Sequence, residues 1–424
     1  MEHELTKTRV AVAGIGGFAS AHHTFLEELE NECRLRVIAT CDPRAEALRE
    51  FREQRNFSAR GIQVVPGFAN LLDTGCDWLT VATPIALHGP MHAACVERRI
   101  PCYLEKPPTL DPFELEEMIA REAAATKQTQ VGFNYVYQPE RLALKKRLLS
   151  GEFGRVIRVG LCGAWKRTDA YYARNSWAGG LKRDNTFLLD SCLGNAMSHH
   201  VHNVLFLAGV KSSASWAECL AVEAQLYRAR PIEGADTVFL KGELASSVEF
   251  RIALSHACQE IGLTEETVVC ENAVIRIRPP HEIQIFRSGK PVESLPLTLR
   301  THIKENLRHY GEYVAGAPHK IMSTLSDCRP FVHLNALAYV SAGRIANVPA
   351  SLVDRVTGAD ATSSGWRIRE IETRLAQFVE TGDFPPLSDL SGQPRQPDRV
   401  RPEDLVRLGS TVEAMRQAVV PRTG

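Results

Sequence analysis

Two short motifs in the first third of the chain carry residue types that could support hydride transfer. A glycine turn, Gly14-Ile15-Gly16-Gly17-Phe18-Ala19, follows an apolar run over residues 8–13. The tripeptide Glu105-Lys106-Pro107 ends a later apolar run that starts at Cys102. Such a turn can hold a dinucleotide, and a lysine beside it could move the proton that accompanies a hydride. The pair predicts redox chemistry rather than nucleotide binding alone.

The glycine turn has the Gly-x-Gly-x-x-Ala form of a dinucleotide-binding loop. Gly14 permits the tight turn, Gly16 lets the backbone approach the pyrophosphate, and Ala19 is small enough for close packing of helix on strand. Gly17 and Phe18 lie at the start of the predicted helix, where free N–H groups favour an anion. We therefore expect these residues to bind the cofactor.

Asp42 ends the second predicted strand, 23 residues after Ala19 in the sequence. A carboxylate at this place accepts hydrogen bonds from the ribose of NAD and disfavours a 2′-phosphate. Arg44 could instead pair with that phosphate, so NAD is favoured and NADP remains open. The alternative is a structural turn in which the aspartate only caps the loop before Pro43.

Further motifs make the chain resemble the Gfo/Idh/MocA family over roughly residues 8–348. They are Ala82-Thr83-Pro84, His88, Glu105-Lys106-Pro107, Val131-Gly132-Phe133-Asn134, Gly151-Glu152-Phe153-Gly154-Arg155-Val156 and the stretch from Asp190 to Gly209. The resemblance implies a Rossmann domain followed by a domain with a large open sheet. It also implies an NAD(P)-dependent dehydrogenase of sugars or cyclitols that forms dimers or tetramers.

The resemblance assigns expected roles to individual residues. Thr83, Pro84, His88, Glu105, Lys106 and Asn134 would contact the cofactor. Lys106 would also be the catalytic proton shuttle, because a proton acceptor needs a pKa near the working pH and a partly desolvated lysine can meet that need. The alternative is a surface lysine before a proline. A cis peptide at Lys106–Pro107 is expected as well.

The second half of the expected site departs from the family pattern. The family histidine ten residues before the helix-ending glycine is His199, but the aspartate four residues earlier is Asn195, which cannot accept a proton. His202 stands where the family has another aspartate. We expect His199 to orient the substrate or to act as an auxiliary acid or base, with Asn195 and His202 as polar walls; a buried structural histidine is the alternative for His202.

Aromatic and basic side chains follow the first strand of the second domain. Trp177, with Tyr135 after the last Rossmann strand, could line a sugar site, since rings stack on sugar faces. Residues 182–185, Lys-Arg-Asp-Asn, would favour an anionic substrate such as a uronate if they reach the site. His199 and His202 share a helical face, but no third ligand is evident, so no metal is predicted.

The elements that must position these residues alternate between strand and helix. Strands are predicted at 8–13, 35–41, 63–65, 78–83, 102–105 and 130–133, with helices at 17–31, 68–72, 88–99 and 112–125. This α/β pattern predicts a parallel sheet with right-handed crossovers. We assign residues 1–134 to an N-terminal Rossmann dinucleotide-binding domain.

The rest of the chain has a different rhythm. After a strand at 156–163, β-rich stretches at 213–228, 237–241, 246–257, 266–277 and 282–287 predict an α+β domain over 135–350 with a large, mainly antiparallel open sheet. A helix is predicted at 327–344, and a helical C-terminal extension over 351–424 has helices at 366–381 and 402–418, joined by a loop. We expect a homodimer or homotetramer to form through the open sheet.

Composition narrows the class of protein. The chain of 424 residues has a formal net charge of zero, which does not favour nucleic acid. The start, Met1-Glu2-His3-Glu4-Leu5, lacks the pattern of a signal peptide, and no apolar run is long enough for a membrane span. Eleven dispersed cysteines without a Cys-x-x-Cys pair predict reduced, buried thiols in a cytoplasmic protein.

These patterns predict an NAD(P)-dependent oxidoreductase acting on a secondary hydroxyl, or the matching ketone, of a sugar, sugar acid or cyclitol. Two alternatives remain open. One is a redox-neutral enzyme of the same family that uses transient oxidation by NAD to cleave a glycosidic bond. The other is a non-catalytic regulatory protein that binds dinucleotide and sugar, although such a protein has no need of Lys106.

Overall fold

The computed structural model describes residues 7–32, 35–259, 262–297, 302–357, 363–385 and 396–418. The chain divides into two compact units. The first unit takes residues 1–109, 113–137 and 300–328, and the second unit takes residues 110–112, 138–299 and 329–424. The polar N-terminal start, Cys33 and residues 386–395 of the predicted C-terminal loop lie outside the described residues.

A six-stranded parallel sheet forms the first unit, in the order β3-β2-β1-β4-β5-β6. Its strands are β1 (Thr8–Ala13), β2 (Leu35–Cys41), β3 (Gln63–Val64), β4 (Trp78–Val81), β5 (Cys102–Leu104) and β6 (Gln130–Val131). The helices are α1 (Ala19–Glu32), α2 (Arg49–Gln54), α3 (Phe68–Leu72), α4 (His88–Glu97) and α5 (Pro112–Glu122). The predicted Rossmann fold is confirmed.

The second unit begins with helices and continues as a sheet. Its helices are α6 (Pro139–Leu149), α7 (Asp169–Ala173) and α8 (Ser198–Ala208). Its strands are β7 (Val156–Ala164), β8 (Lys182–Arg183), β9 (Thr186–Phe187), β10 (Cys219–Arg228), β11 (Thr237–Leu244), β12 (Val248–Ser255), β13 (Leu263–Cys270), β14 (Val274–Arg278), β15 (Glu282–Arg287) and β16 (Lys290–Pro296).

Helix α9 (His302–Val314) returns to the first unit, where it packs on the Rossmann core. Tyr310 lies with its ring centroid 5.3 Å from that of Trp78, and Tyr103 donates to Asn306 Oδ1 at 2.6 Å. Lys304 pairs with Glu28 of α1 at 2.9 Å. Sequence patterns did not predict this helix, and it explains why the unit takes residues 300–328 although the predicted domain boundary lay at 134.

The last part of the chain adds both strand and helix to the second unit. After α10 (Leu325–Ala342) come β17 (Ile345–Asn347), β18 (Val353–Val356), β19 (Gly365–Ile368), α11 (Ile371–Thr381) and α12 (Leu408–Gln417). Strands β18 and β19 pair as an antiparallel two-stranded sheet. The extension over 351–424 is therefore not purely helical, and the helix predicted to start at 366 starts at Ile371 because residues 365–368 pair as strand instead.

The large sheet of the second unit has nine strands in the order β16-β15-β14-β13-β7-β12-β11-β10-β17. Only the pairs β7–β12 and β10–β17 are parallel, so the predicted, mainly antiparallel sheet is confirmed. The β-rich stretch predicted from 213 becomes strand only at Cys219.

Helices cover both faces of this sheet at β7. A Cβ added to Gly160 would lie 2.9 Å from Val379 of α11, and one added to Gly163 would lie 2.7 Å from Met197, just before α8. Residues 160 and 163 differ by an odd number along the strand, so they face opposite sides. The predicted oligomer contact through the open sheet stays a prediction, with the area under α11 excluded from it.

The described residues agree with two compositional expectations. Ten of the eleven cysteines are described, and all ten are reduced thiols buried in the fold. Within the described part of the chain, every helix is too short or too polar to cross a membrane.

Candidate active site

Most of the predicted cofactor residues follow strands at one edge of the first sheet. The glycine turn follows β1, Asp42 follows β2, Thr83 and Pro84 follow β4, and Glu105 and Lys106 follow β5. All five pairings in this sheet are parallel, so the carboxyl ends of its strands lie along the same edge. Open α/β sheets bind their ligands at this edge.

The geometry of the glycine turn fits a pyrophosphate. Gly14 has a φ of 111°, and a Cβ there would lie 2.9 Å from the Ala82 carbonyl oxygen and 2.9 Å from the Ala19 Cβ, so only glycine fits. The backbone N–H groups of Gly17 and Phe18, before the first turn of α1, donate to no acceptor among the described residues. Such groups at a helix N-terminus form an anion site.

Asp42 accepts hydrogen bonds from the glycine turn beside which it was expected to bind a ribose. Its Oδ2 accepts from the N–H groups of Ile15 at 3.0 Å and Gly16 at 3.2 Å, and its Oδ1 accepts from Arg44 at 2.8 Å. Burial opposes ionisation, but these backbone hydrogen bonds outweigh it, so the pKa of Asp42 is lowered. The carboxylate thus caps the turn and still has lone pairs for a ribose.

Glu105 is held by a histidine that the sequence analysis did not single out. His22 of α1 is fully buried; its Nε2 lies 2.8 Å from Glu105 Oε1 and its Nδ1 lies 3.1 Å from Thr80 Oγ1. Glu105 Oε2 accepts from the backbone N–H of Lys106 at 3.0 Å. The Lys106–Pro107 peptide is cis, which confirms that expectation. The glutamate therefore fixes the backbone that carries the lysine.

His88 connects two of the strand ends. Its Nδ1 lies 3.0 Å from the Pro107 carbonyl oxygen and its Nε2 lies 2.9 Å from the Thr83 carbonyl oxygen. Burial lowers its pKa. The ring is 1% exposed, and it joins the residues that follow β4 to those that follow β5. Its contact with the cofactor stays a prediction.

Asn134 and Tyr135 follow β6 in a short 3₁₀ turn, Asn134–Tyr137. Asn134 is 4% exposed, and its Oδ1 has no hydrogen-bond partner among the described residues. A buried acceptor without a donor is costly, so this oxygen suits a donor supplied by a ligand. Tyr135 is partly exposed, with its ring 6.0 Å from that of His302.

In the second unit, Asn195 lies in a π-helical turn, Cys192–Ala196, before α8. Its Nδ2 donates to Asp190 Oδ1 at 2.8 Å, and Asp190 Oδ2 accepts from the backbone N–H of Gly179 at 2.6 Å. Asp190 is 3% exposed. The carboxylate therefore joins the predicted substrate residue to the loop that follows α7.

Helix α8 carries His199 on its first turn, where the side chain is partly exposed. The neighbouring His200 lies with Nδ1 2.7 Å from Oε1 of Glu266, which also accepts from Arg141 at 3.0 Å. Burial opposes the charge of Glu266, but the Arg141 guanidinium outweighs it, and the pKa of Glu266 falls to about 2. This buried network ties α8 to β13 and fixes the helix that presents His199.

The position of His202 favours the alternative given for it, a buried structural histidine. The side chain is fully buried, and its ring lies 4.8 Å from that of Trp216. Burial lowers its pKa to about 3, so it is neutral near pH 7. A histidine three residues after His199 need not share its exposed side, because α8 is buried along most of its length.

The aromatic and basic segment after β7 forms a connected cluster. The Arg174 guanidinium lies 5.0 Å from the ring centre of Trp177 and 3.7 Å from that of Tyr171. Tyr172 Oη lies 2.7 Å from Nδ1 of the buried His256. Trp177 is partly exposed. The cluster lies wholly in the second unit, and its role in sugar stacking stays a prediction.

The last feature of the site is the arrangement of its potential metal-ligating side chains within the described part of the chain. There, the histidine, cysteine, aspartate and glutamate side chains form no group of three or more that could hold an ion. His199 and His202 do not act as a pair, since His202 is in the core.

Comparisons with known proteins identify the first unit. Residues 8–133 match the Gfo/Idh/MocA model, described as an oxidoreductase family with an NAD-binding Rossmann fold. The chain is 32% identical over 151 residues to inositol 2-dehydrogenase 4 of Saccharopolyspora erythraea. This match covers 35% of this chain and 43% of that protein. It is 30% identical over 155 residues to inositol 2-dehydrogenase of Mycolicibacterium smegmatis, 36% and 43% of the two chains. The matches thus span less than half of these relatives.

Solved structures are similar over more of the chain. The WlbA dehydrogenase of Bordetella pertussis, in complex with NADH and UDP-GlcNAcA, has a TM-score of 0.65 at 20% identity and covers 79% of this chain and 96% of its own. The aldose-aldose oxidoreductase of Caulobacter crescentus has a TM-score of 0.66 at 18% identity, covering 79% and 97%. These likenesses show a shared fold in which the large sheet follows the Rossmann domain. Over residues 8–133, therefore, the chain matches the model of the Gfo/Idh/MocA oxidoreductase family and has an NAD-binding Rossmann fold.

Proposed function

We propose that the chain is an NAD-dependent dehydrogenase that oxidises a secondary hydroxyl of a sugar, sugar acid or cyclitol, or reduces the matching ketone. The observation that carries this proposal is the position of Lys106. It follows β5 at the same sheet edge where the glycine turn follows β1, in a domain of an oxidoreductase family. The names of the relatives, inositol 2-dehydrogenases, support a polyol substrate.

The residues of the first unit fit NAD. The free N–H groups of Gly17 and Phe18 would hold the pyrophosphate, Asp42 the ribose hydroxyls, and the unsatisfied Oδ1 of Asn134 a donor such as a carboxamide. When bound, NAD supplies the acceptor for the hydride. Asp42 favours NAD over NADP, while the exposed Arg44 leaves some use of NADP open.

Lys106 takes the proton in this proposal. Oxidation of a secondary alcohol releases a hydride from carbon and a proton from oxygen, and a neutral amine can accept that proton. The contact of His22 with Glu105, and of Glu105 with the Lys106 backbone, would hold the amine in one place. In the second unit, His199 and Asn195 would bind substrate hydroxyl groups, because both are polar and partly exposed.

The test is NADH formation by the purified protein with NAD across sugars, sugar acids and inositols, with sugar products analysed in the same samples. Replacing Lys106 by Ala should lower kcat by roughly 10²–10⁴. Lys106→Arg should fail as well, since a guanidinium cannot give up its proton. Lys320→Ala is the matched control, because Lys320 is an exposed lysine of the same unit.

Full turnover in Lys106→Ala would contradict the proton-shuttle role. Sugar product without NADH would point to the redox-neutral enzyme instead. Binding of NAD and sugar without any product would identify a sensor protein and overturn the dehydrogenase proposal.

A further inference from the structure

A cavity of about 730 Å³ lies wholly within the second unit. Its walls come from α7, from the loop that includes Gly179, from β8, from the loop that follows β10 and from the β18–β19 hairpin of the C-terminal extension. The side chains that give it chemical character are Tyr172, Lys182, Arg183, Arg230, Arg355 and Trp366. This volume is ample for a monosaccharide with a charged group.

The cavity has an excess of positive charge. Four basic side chains line it, against the carboxylates of Asp169 and Glu233. Asp169 pairs with Arg355, while Glu233 accepts from the Leu181 N–H at 3.1 Å and from Arg416 at 3.4 Å. The lining carboxylates are therefore already engaged.

Two of the four cations have no carboxylate partner among the described residues. Arg230 pairs with the buried Asp236 at 3.1 Å. Lys182 and Arg183 form no ion pair in the described structure, and Arg183 donates only to Ser176 Oγ at 2.8 Å. They form the two-residue strand β8, and both line the cavity. Uncompensated cations at a cavity favour an anionic ligand.

Aromatic rings make up the apolar part of the wall. The Tyr172 ring is held by its hydroxyl contact with His256 at 2.7 Å and by the Arg230 guanidinium, 4.4 Å from the ring centre. The Trp366 ring is held by Arg355, 4.8 Å from its centre. Fixed rings beside charged donors are typical of sites that bind carbohydrates.

The cavity is connected to the predicted substrate residues. Gly179 in its wall donates to Asp190, and Asp190 accepts from Asn195. A single buried carboxylate therefore couples the wall to the π-helical turn that precedes His199. A ligand in the cavity would therefore contact a wall that is hydrogen-bonded, through Asp190, to the turn that carries Asn195.

We propose that this cavity binds an anionic sugar, in which Lys182 and Arg183 hold a carboxylate or phosphate and Tyr172 and Trp366 contact the sugar ring. The claim that this anionic sugar is the substrate rests on the proposed dehydrogenase function. The claim that the cavity binds an anionic sugar rests on the cavity alone. It distinguishes the chain from enzymes that act on neutral cyclitols, and it gives the C-terminal extension a role in binding.

The test is calorimetric titration of the full-length protein in the absence of nicotinamide cofactor. The probes are glucuronate, glucose 6-phosphate, glucose, myo-inositol and inorganic phosphate. We expect the two sugar anions to bind at least roughly tenfold more tightly than glucose and myo-inositol, because charge-assisted hydrogen bonds are the stronger class. Glucuronate and glucose 6-phosphate separate a carboxylate site from a phosphate site, and inorganic phosphate tests the anion without the ring.

The variant Lys182→Gln/Arg183→Gln should lose this preference for anions, with a roughly tenfold or greater weakening for the sugar acids and little change for glucose. Lys211→Gln/Lys290→Gln is the matched control, because it removes the same charge from two exposed lysines of the same unit that form no ion pair in the described structure. Equal affinity for glucuronate and glucose, no binding of any sugar anion at millimolar concentration, or wild-type affinity in the cavity variant would each overturn the proposal. Because no cofactor is present, NADH assays on neutral sugars can succeed or fail independently of this result.

Discussion

The side-chain amide of Asn195 donates to Asp190 Oδ1 at 2.8 Å, while the other oxygen of Asp190 accepts the Gly179 backbone N–H at 2.6 Å. The amide of Asn195 is thus paired with a buried carboxylate. An aspartate at 195 would place two carboxylates within hydrogen-bonding distance. The asparagine is therefore part of this local structure.

Asn195→Asp should consequently damage the protein at neutral pH instead of restoring a family-like site. Two carboxylates this close cannot both ionise, so one of them would titrate with a raised pKa. We expect the variant to lose stability as pH rises through that raised pKa and to recover it in mild acid. Urea unfolding of the variant and wild type between about pH 5 and about pH 8 would measure this. A pH-independent difference, like that expected of Asn195→Ala, would contradict the account.

Asp42→Asn should reduce the preference for NAD over NADP. Asp42 brings a negative charge to the end of β2, and the amide removes that charge while keeping one acceptor oxygen for the turn. We expect the ratio of kcat/KM for NAD to that for NADP to fall roughly tenfold. The ratio is the right quantity, because partial loosening of the turn affects both cofactors alike.

Arg44→Gln is the complementary variant, and it should shift the same ratio the other way. Arg44 is exposed beside the turn, where a 2′-phosphate would lie. If both variants leave the ratio at its wild-type value, Asp42 acts only as a cap of the glycine turn.

Glu266→Gln should remove an acid-sensitive contribution to the stability of the second unit. The folded pKa of Glu266, about 2, lies below its ordinary value of 4.5. The contribution is therefore complete above about pH 4.5 and is lost as pH falls toward 2. At neutral pH the variant leaves buried Arg141 without its counter-charge, which costs about 3–5 kcal/mol.

The difference between Glu266→Gln and wild type should therefore shrink in acid. Urea midpoints followed by tryptophan fluorescence from about pH 7 to about pH 3 would show it. Exposed Glu249→Gln, on strand β12 of the same sheet, is the control and should show a small, nearly constant difference. A constant gap for Glu266→Gln would mean that the carboxylate carries no proton-linked stability.

Phe378→Ala should destabilise the second unit by about 3–5 kcal/mol, because it opens a cavity under α11. Phe378 is 1% exposed, and its ring centroid lies 5.4 Å from that of Phe239 in the large sheet. The exposed Gln377→Ala in the same helix should change stability by less than about 0.5 kcal/mol. Equal, small effects of both substitutions would show that α11 is not part of the core.

Much of the first unit could be predicted because its signals are local. A few consecutive residues are enough to recognise the apolar run of β1, the glycine turn and the Glu105-Lys106-Pro107 motif. His22 carried a weaker signal: it lies four residues before Leu26 and seven before Leu29, on the buried face of α1. Its partner Glu105 lies 83 residues away, so only the folded sheet could reveal the contact.

The second unit was predicted less completely because its site depends on contacts distant in sequence. Glu266 and Arg141 are 125 residues apart, and nothing near either position indicates a buried pair. Residues 365–368 looked helical together with the apolar pattern after Ile371, but pairing with β18 overrode that local preference. The burial of His202 could not be decided from the sequence, because helical spacing gives a shared face without telling which face is buried.

The β18–β19 hairpin links ligand binding in the cavity to the ordering of the C-terminal extension. Arg355 and Trp366 of the hairpin line the cavity, and α11 follows directly on the sheet. A ligand that needs those two side chains binds only molecules in which the hairpin is docked. Its binding free energy therefore adds to the free energy that holds the extension in place. Amide hydrogens of β18, β19 and α11 should consequently exchange more slowly as the cavity fills.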